Sequence, residues 1–288
     1  MHRVPLCLLL VFAIGSFTHA AEPMIQRDLP FAKVDGTELK LDFYPSRADD
    51  DACPLIVWVH GGAWRAGDKR SVPIQRLTEH GFAIASLDYR LSGTARFPAQ
   101  TEDIKAGIRF LRAHAERFEI DPDRIVIAGA SAGGHLAALV GVSSGVQALE
   151  NFAMGNAEVS SRVAAIVSLY GASNLQTILS QSTPHGLSVR EPALKLLLGD
   201  LPTTVPDAAR LASPVQHVDS EDPPLLLIHG DQDPQMPINQ SHELEGAYRR
   251  AGLDVTFHVV HGAAHGGKAF YDDEQLKRIA DWIDSRLD

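Results

Sequence analysis

Leu55–Val59, Phe82–Leu87, Arg124–Ala128, Val163–Leu169 and Leu225–Ile228 are short, nearly unbroken apolar runs. A strand with one wet face alternates apolar and polar residues, whereas a run without alternation buries both faces. Helical spacing fills the intervals. Ile104, Ile108, Leu111 and Ala115 mark one stripe along Ala99–Phe118, before Asp121-Pro122 breaks the pattern. Ile74–His80 reads as a helix closed by Gly81, and Ser131–Val142, Ser241–Arg250 and Gln275–Leu287 read as further helices, with Val255–Val260 a late strand. This alternation predicts an α/β fold with a mostly parallel central sheet and helices on both faces. Asp35-Gly36, between Gln26–Val34 and Thr37–Tyr44, predicts an antiparallel hairpin at the start. With 45% hydrophobic residues and neither internal repeat nor low-complexity linker, 21–288 is expected to be one domain.

Ala172–Asp222 fits the alternation least. It carries Pro184, Pro192, Pro202, Pro206 and Pro214 beside the apolar run Leu194–Leu198. Lying between two sheet strands, residues 172–222 are expected either to cap the sheet end or to form an ordinary crossover with one extra helix.

The N-terminus has a different logic. Basic Met1-His2-Arg3, apolar Leu6–Phe17 and the small-residue site ending Thr18-His19-Ala20 have the layout of a secretory signal peptide over 1–20. The apolar stretch is too short to span a bilayer. Cleavage after Ala20 leaves no stable membrane anchor and implies a secreted or periplasmic protein. It also removes Cys7, so Cys53 has no partner for an internal disulfide. The formal charge of −10 becomes one unit more negative when Arg3 is lost. Such an acidic surface disfavours nucleic acid and anionic membranes as partners.

Gly129-Ala130-Ser131-Ala132-Gly133 supplies the first chemical signal. As a bare pattern, G-x-S-x-G is weak. Here a buried strand runs directly into it and a small-residue helix leaves it, which is the strand–turn–helix setting of a nucleophile elbow. The flanking glycines let the backbones close while the Ser131 hydroxyl stays exposed. A serine that merely N-caps the helix needs no glycine on each side.

His60-Gly61-Gly62-Ala63-Trp64 follows the strand Leu55–Val59. Acyl transfer needs backbone N–H donors for a tetrahedral oxyanion, free of bulky side chains. Gly62 and Ala63, with Ala132 after the serine, are the candidate donors. His60 precedes the serine and is expected to brace the loop, and Trp64 to pack beneath it.

A serine hydroxyl also needs an imidazole to take its proton and a carboxylate to orient that imidazole. On this fold they come in the order acid, then histidine. His229-Gly230-Asp231-Gln232-Asp233-Pro234 follows the strand Leu225–Ile228. Asp233, deeper in the loop and stiffened by Pro234, is preferred as the acid, with Asp231 the alternative. After Val255–Val260, the glycine-flanked His265 is preferred as the base, with His261 second. His258, His261 and His265 have metal-like spacing, but a strand and a loop scatter such residues. No metal and no cofactor is expected.

Together with Gly67-Asp68-Lys69, Asp88-Tyr89-Arg90-Leu91, Phe97-Pro98-Ala99-Gln100, Gly133-Gly134-His135-Leu136-Ala137, Ser213-Pro214 and Pro223-Pro224, these motifs resemble the α/β-hydrolase esterase/lipase family. They look like the group that includes the bifunctional feruloyl and acetylxylan esterases, and are also similar to the hormone-sensitive-lipase-like carboxylesterases and to kynurenine formamidases. The resemblance spans roughly residues 25–287 and implies Ser131, Asp233 and His265 as the triad. In the lipase-like relatives the oxyanion loop is H-G-G-G. Ala63 departs from that pattern, keeping the backbone donor and narrowing the pocket by a methyl group. The expected activity is hydrolysis of short-chain acyl esters, with small-molecule or polysaccharide esters as substrates, acetyl or feruloyl esters of plant polysaccharide among them. An arylformamidase and a catalytically inactive binding protein on the same scaffold are the alternatives. Because the base must be neutral, activity is expected to fall at acid pH, near or below the reference histidine value of about 6.5.

Overall fold

Apolar strands bury both faces only if each face meets its own layer of helices. The computed structural model, which describes residues 24–48 and 52–287, has this arrangement. The leader proposed at 1–20 lies outside the described residues. In chain order the elements are β1 (Gln26–Val34), β2 (Thr37–Tyr44), β3 (Cys53–Val59), β4 (Ala83–Leu87), α1 (Ala99–Ala113), α2 (Ala115–Phe118), β5 (Ile120–Ala130), α3 (Ala132–Gly141), β6 (Ala165–Leu169), α4 (Ile178–Gln181), α5 (Pro184–Leu198), α6 (Pro206–Leu211), β7 (Leu225–Gly230), α7 (Asn239–Ala251), β8 (Val255–Val260) and α8 (Asp273–Leu287). The strands form one eight-stranded sheet in the order β1-β2-β4-β3-β5-β6-β7-β8. The β1–β2 and β2–β4 pairs are antiparallel and the rest are parallel.

Successive residues of the central strands divide between two cores. Leu55, Val57, Ile125 and Ile127 face α1 and α3 through Ile104, Ile108 and Leu136. Their neighbours Ile56, Trp58, Val126 and Ala128 share the opposite core with Leu276, Ile279 and Ile283 of α8. Each buried leucine or isoleucine truncated to alanine here costs about 2–5 kcal/mol.

Three elements depart from the sequence expectation by more than their ends. The helix expected over Ala99–Phe118 is broken at His114, whose ring bonds the carbonyl of Phe110 at 2.8 Å, and α2 follows as a short separate turn. Strand β5 then begins at Ile120, earlier than Arg124, because Ile120 pairs with Cys53 before a register irregularity at Cys53/Leu55. Ile74–His80 is a 3-10 turn over Gln75–His80, closed by left-handed Gly81 as anticipated.

The proline-rich stretch is mostly helical. Pro184 and Pro206 stand in the first turns of α5 and α6, and Pro214 in that of a 3-10 turn, where a missing N–H costs nothing. Pro192 alone sits within a helix, α5. Among the described residues, no helix is long and apolar enough to cross a membrane.

Candidate active site

Strands β3, β5, β6, β7 and β8 run parallel, so the loops leaving them gather at one edge of the sheet, where ligands bind in open α/β folds. The turn from β5 to α3 is the tightest of these. Ser131 adopts φ 56° and ψ −117°, a strained conformation for a residue with a side chain. Gly133 is obligatory beside it, since a Cβ there would lie 2.0 Å from the carbonyl oxygen of Val59. A Cβ on Gly129 would meet Gly133 oxygen at 2.3 Å. Ser131 occupies the N-cap position of α3 but makes no side-chain cap. Its Oγ instead lies 2.8 Å from Nε2 of His265.

His265 comes from the loop after β8, and its Nδ1 bonds Oδ2 of Asp233 at 2.6 Å. Asp233 is thoroughly engaged. Its Oδ1 accepts the backbone N–H groups of Gln235 and Met236, each at 2.8 Å, and Nε2 of His229 lies 3.4 Å from Oδ2. Burial alone would raise the Asp233 carboxyl, but hydrogen bonds from His229 and His265 overcome it and hold the group well below the usual carboxylate range. His229 is itself fixed, with Nδ1 2.7 Å from the Ser241 hydroxyl and Nε2 3.1 Å from the Met236 carbonyl. With Nδ1 of His265 donating to the carboxylate, Nε2 is left as an acceptor facing the serine hydroxyl.

The competing residues pair with each other. Asp231 takes Nδ1 of His261 at 2.8 Å and the N–H of Gly262 at 2.7 Å, out in solvent. His258 stays on β8 near Gln275. The three histidines of the metal-like spacing thus go to three different partners.

The loop after β3 abuts the elbow: a Cβ on Gly61 would lie 2.9 Å from the Ala130 carbonyl and 3.5 Å from Cβ of Ser131. Gly62, Ala63 and Trp64 all have positive φ, at 109°, 51° and 58°, which turns the backbone sharply beside the serine. The Gly62 carbonyl closes the turn by accepting Arg65 and Ala66 N–H at 3.1 and 3.0 Å. Ala132, at the start of α3, is fully buried.

His60 stacks on Tyr89 with ring centroids 4.4 Å apart and bonds the Gly61 carbonyl through Nδ1. Burial lowers its pKa, so it holds the loop as a neutral ring. Trp64 lies beneath the loop, fully buried, donating its indole N–H to Nδ1 of His135 at 3.0 Å. His135 donates its Nε2–H to the Ala212 carbonyl at 2.7 Å. Burial pushes the His135 imidazole down to about 4, consistent with this neutral tautomer. Lys69, buried among Asp28, Asp42 and Asp88 at 2.7, 3.5 and 3.7 Å, ties the following stretch to the β1–β2 hairpin.

A cavity of about 590 Å³ opens above Ser131 and His265. Tyr170 after β6 and Tyr271 before α8 form one wall, joined through their hydroxyls at 2.5 Å. The Tyr170 ring meets His265 edge-on at 4.9 Å. Val189 and Arg190 of α5 and Gln235 of the acid loop form another. The α5 helix also grips that loop. Thr183 caps the helix and donates to the Pro234 carbonyl at 2.7 Å, and Arg190 Nε donates to the Gln235 carbonyl at 3.2 Å. Sequence reasoning missed Tyr170, Tyr271, His229 and Arg190. Arg190 and Tyr271 lie outside every motif, and nothing in their local pattern marks them.

The sheet order, with a strained serine at a strand–helix turn facing a histidine–aspartate pair, defines an α/β-hydrolase. Within that class the chain belongs to the BD-FAE family, whose model matches residues 41–248. It is 31% identical over 247 residues to esterase LipQ of Mycobacterium tuberculosis, an alignment covering 83% of this chain and 56% of that protein. The chain therefore spans little more than half the length of this curated relative. Among solved structures, a truncated carbohydrate esterase from gut microbiota superposes with TM-score 0.83 and 31% identity, over 93% of this chain and 98% of that one. An acetyl ester-xyloside bifunctional hydrolase from Caldicellulosiruptor lactoaceticus gives TM-score 0.76 and 27% identity, over 91% and 97%.

Proposed function

We propose that this chain is a serine carboxylesterase with Ser131 as nucleophile, His265 as general base and acid, and Asp233 as the orienting carboxylate. The observation that carries this is the unbroken hydrogen-bonded chain Ser131–His265–Asp233 at the floor of the cavity. Nε2 of His265 removes the hydroxyl proton as Oγ attacks the ester carbonyl. Asp233, kept ionised by its hydrogen bonds, stabilises the imidazolium that forms. The N–H groups of Gly62, Ala63 and Ala132 receive the oxyanion. The imidazolium then returns its proton to the leaving alcohol, and water clears the acyl-enzyme by the same route. The named activities of the relatives support an ester substrate, and those of the structural neighbours support an acyl ester on carbohydrate. A cavity of this size suits a short acyl group with one or two sugar units beside it. The basic-then-apolar leader supports export and an external substrate.

The test is hydrolysis of p-nitrophenyl acetate, butyrate and octanoate, methyl ferulate, acetylated xylan and N-formylkynurenine by wild type and Ser131→Ala. Turnover of short esters and acetylated xylan, reduced on the order of 10⁶-fold in kcat by Ser131→Ala, is the expected result. Cleavage of formylkynurenine alone replaces the esterase with a formamidase. Binding without any turnover replaces it with a non-catalytic receptor.

A further inference from the structure

Arg190 has more donors than its structural role uses. Its side chain projects from α5, and the residue is 1% exposed although it borders the cavity above Ser131. The Nε–H holds the Gln235 carbonyl. Nη2 is buried with no hydrogen-bond partner. A guanidinium carries five N–H donors in a planar fork, so bracing one carbonyl leaves most of them unexplained.

Its charge is also unanswered. No described carboxylate forms an ion pair with Arg190. Asp233 is near enough to favour the charged form, yet both its oxygens are committed to Gln235, Met236 and His265. Burial pushes the guanidinium down to about 10, the Asp233 charge offsetting only part of that effect. A buried charge is costly unless paired, and a buried donor without an acceptor costs more than a solvated one. Nη2 is sealed from the cavity, whereas Nη1 also lacks a partner and is not closed off, so at the cavity wall it is the donor that an entering ligand can reach.

We propose that Arg190 is a specificity-determining residue that pairs with a carboxylate on the ester substrate, carried by either its acyl or its alcohol half. On the acyl side the substrate is a monoester of a dicarboxylic acid. On the alcohol side it is an acylated hydroxy acid, such as an acylated uronic-acid unit. The proposal rests on the esterase assignment for Ser131 and deepens it. A neutral ester reacts at the same serine but leaves Nη1 without an anionic partner.

Matched isosteres separate charge from shape. Monoethyl fumarate against ethyl fumaramate tests the acyl side, its trans geometry preventing intramolecular attack. 4-Acetoxybenzoate against 4-acetoxybenzamide tests the alcohol side. In one arm, wild type is expected to favour the carboxylate by about 10- to 100-fold in kcat/KM, mostly through KM, as for a charge-assisted hydrogen bond. The readout in Arg190→Gln is that ratio, independent of how far the variant's overall rate falls, and it is expected to drop to about one, with Arg190→Lys recovering part of it. Absence of a carboxylate preference in both arms of the wild type overturns the proposal. So does a preference that persists in Arg190→Gln. If neither these arms nor p-nitrophenyl acetate shows Ser131-dependent turnover, the esterase assignment is what fails. Calorimetric binding of monoethyl fumarate and 4-acetoxybenzoate to Ser131→Ala then decides for Arg190. Tighter binding of a carboxylate than of its amide, lost in Ser131→Ala/Arg190→Gln, supports it, and equal binding overturns it.

Discussion

Two aspartates in one loop each hold a histidine from the next, with nearly the same bond, and the two pairs have little else in common. Asp233 and His265 meet at 2.6 Å and Asp231 and His261 at 2.8 Å. The Asp233 side chain is wholly buried and that of His265 13% exposed, whereas Asp231 and His261 are 30% and 85% exposed. Asp233 also accepts two backbone N–H groups and faces His229, and its histidine has Ser131 on the far side. A histidine–aspartate bond is therefore not a site by itself. What turns one into a site is burial, exhaustive satisfaction of the carboxylate, and something for the free imidazole nitrogen to act on.

The largest effect expected from breaking this contrast is Asp233→Asn, which preserves shape but presents an amide to Nδ1 and disturbs the tautomer. Steady-state kinetics on p-nitrophenyl acetate should show kcat lowered by about 10⁴-fold. Next in size is His229→Phe, which keeps the volume and removes a donor beneath Asp233. Denaturant unfolding should register a loss of about 1–3 kcal/mol, because Ser241 and the Met236 carbonyl lose their buried partner as well.

A third carboxylate sharpens the comparison by the sign of its shift. Asp222 is raised by burial, with the neighbouring Asp219 charge adding to it, to about 7. The folded protein thus holds a proton that the unfolded chain releases at about 4, so stability falls as pH rises from about 4 to 7. Asp233 acts oppositely: its stabilisation is present above the ordinary carboxylate range and is lost only as the pH falls well below it. Asp222→Asn should flatten the decline in Tm across that window and leave Tm at pH 4 unchanged. The smallest effect belongs to the outer pair. Asp231→Asn and His261→Ala should retain wild-type kcat/KM and Tm, and a large loss of activity in either would reverse the assignment of the two pairs.

Much of this architecture was legible in the sequence. Strands Gln26–Val34, Thr37–Tyr44 and Val255–Val260 have the bounds that their patterns predict. Runs apolar on both faces correspond to two cores sharing one sheet. Motif, loop depth and order single out Ser131, Asp233 and His265, and the fold joins them in one hydrogen-bonded chain. The insert was not legible. Pro184 and Pro206, in the stretch that fits the alternation least, are helix starters in first turns, which depends on where the helix begins. The supports of the site were hidden for another reason. Trp64 and His135 are 71 residues apart, and Arg190 and Gln235 are 45 apart, so only tertiary packing defines them as partners.

The grip of α5 on the loop carrying Asp233 has a consequence for how such proteins diversify. Thr183 and Arg190 hold the Pro234 and Gln235 carbonyls, while Val189 and Arg190 border the cavity. Under the proposed triad, one helix thereby shapes the substrate chamber and seats the carboxylate that orients the base. Selection for a new substrate acting on this segment also acts on turnover, and the two properties are inherited together. A chimera that borrows α5 from a relative should keep its speed only if the recipient's acid loop is borrowed with it.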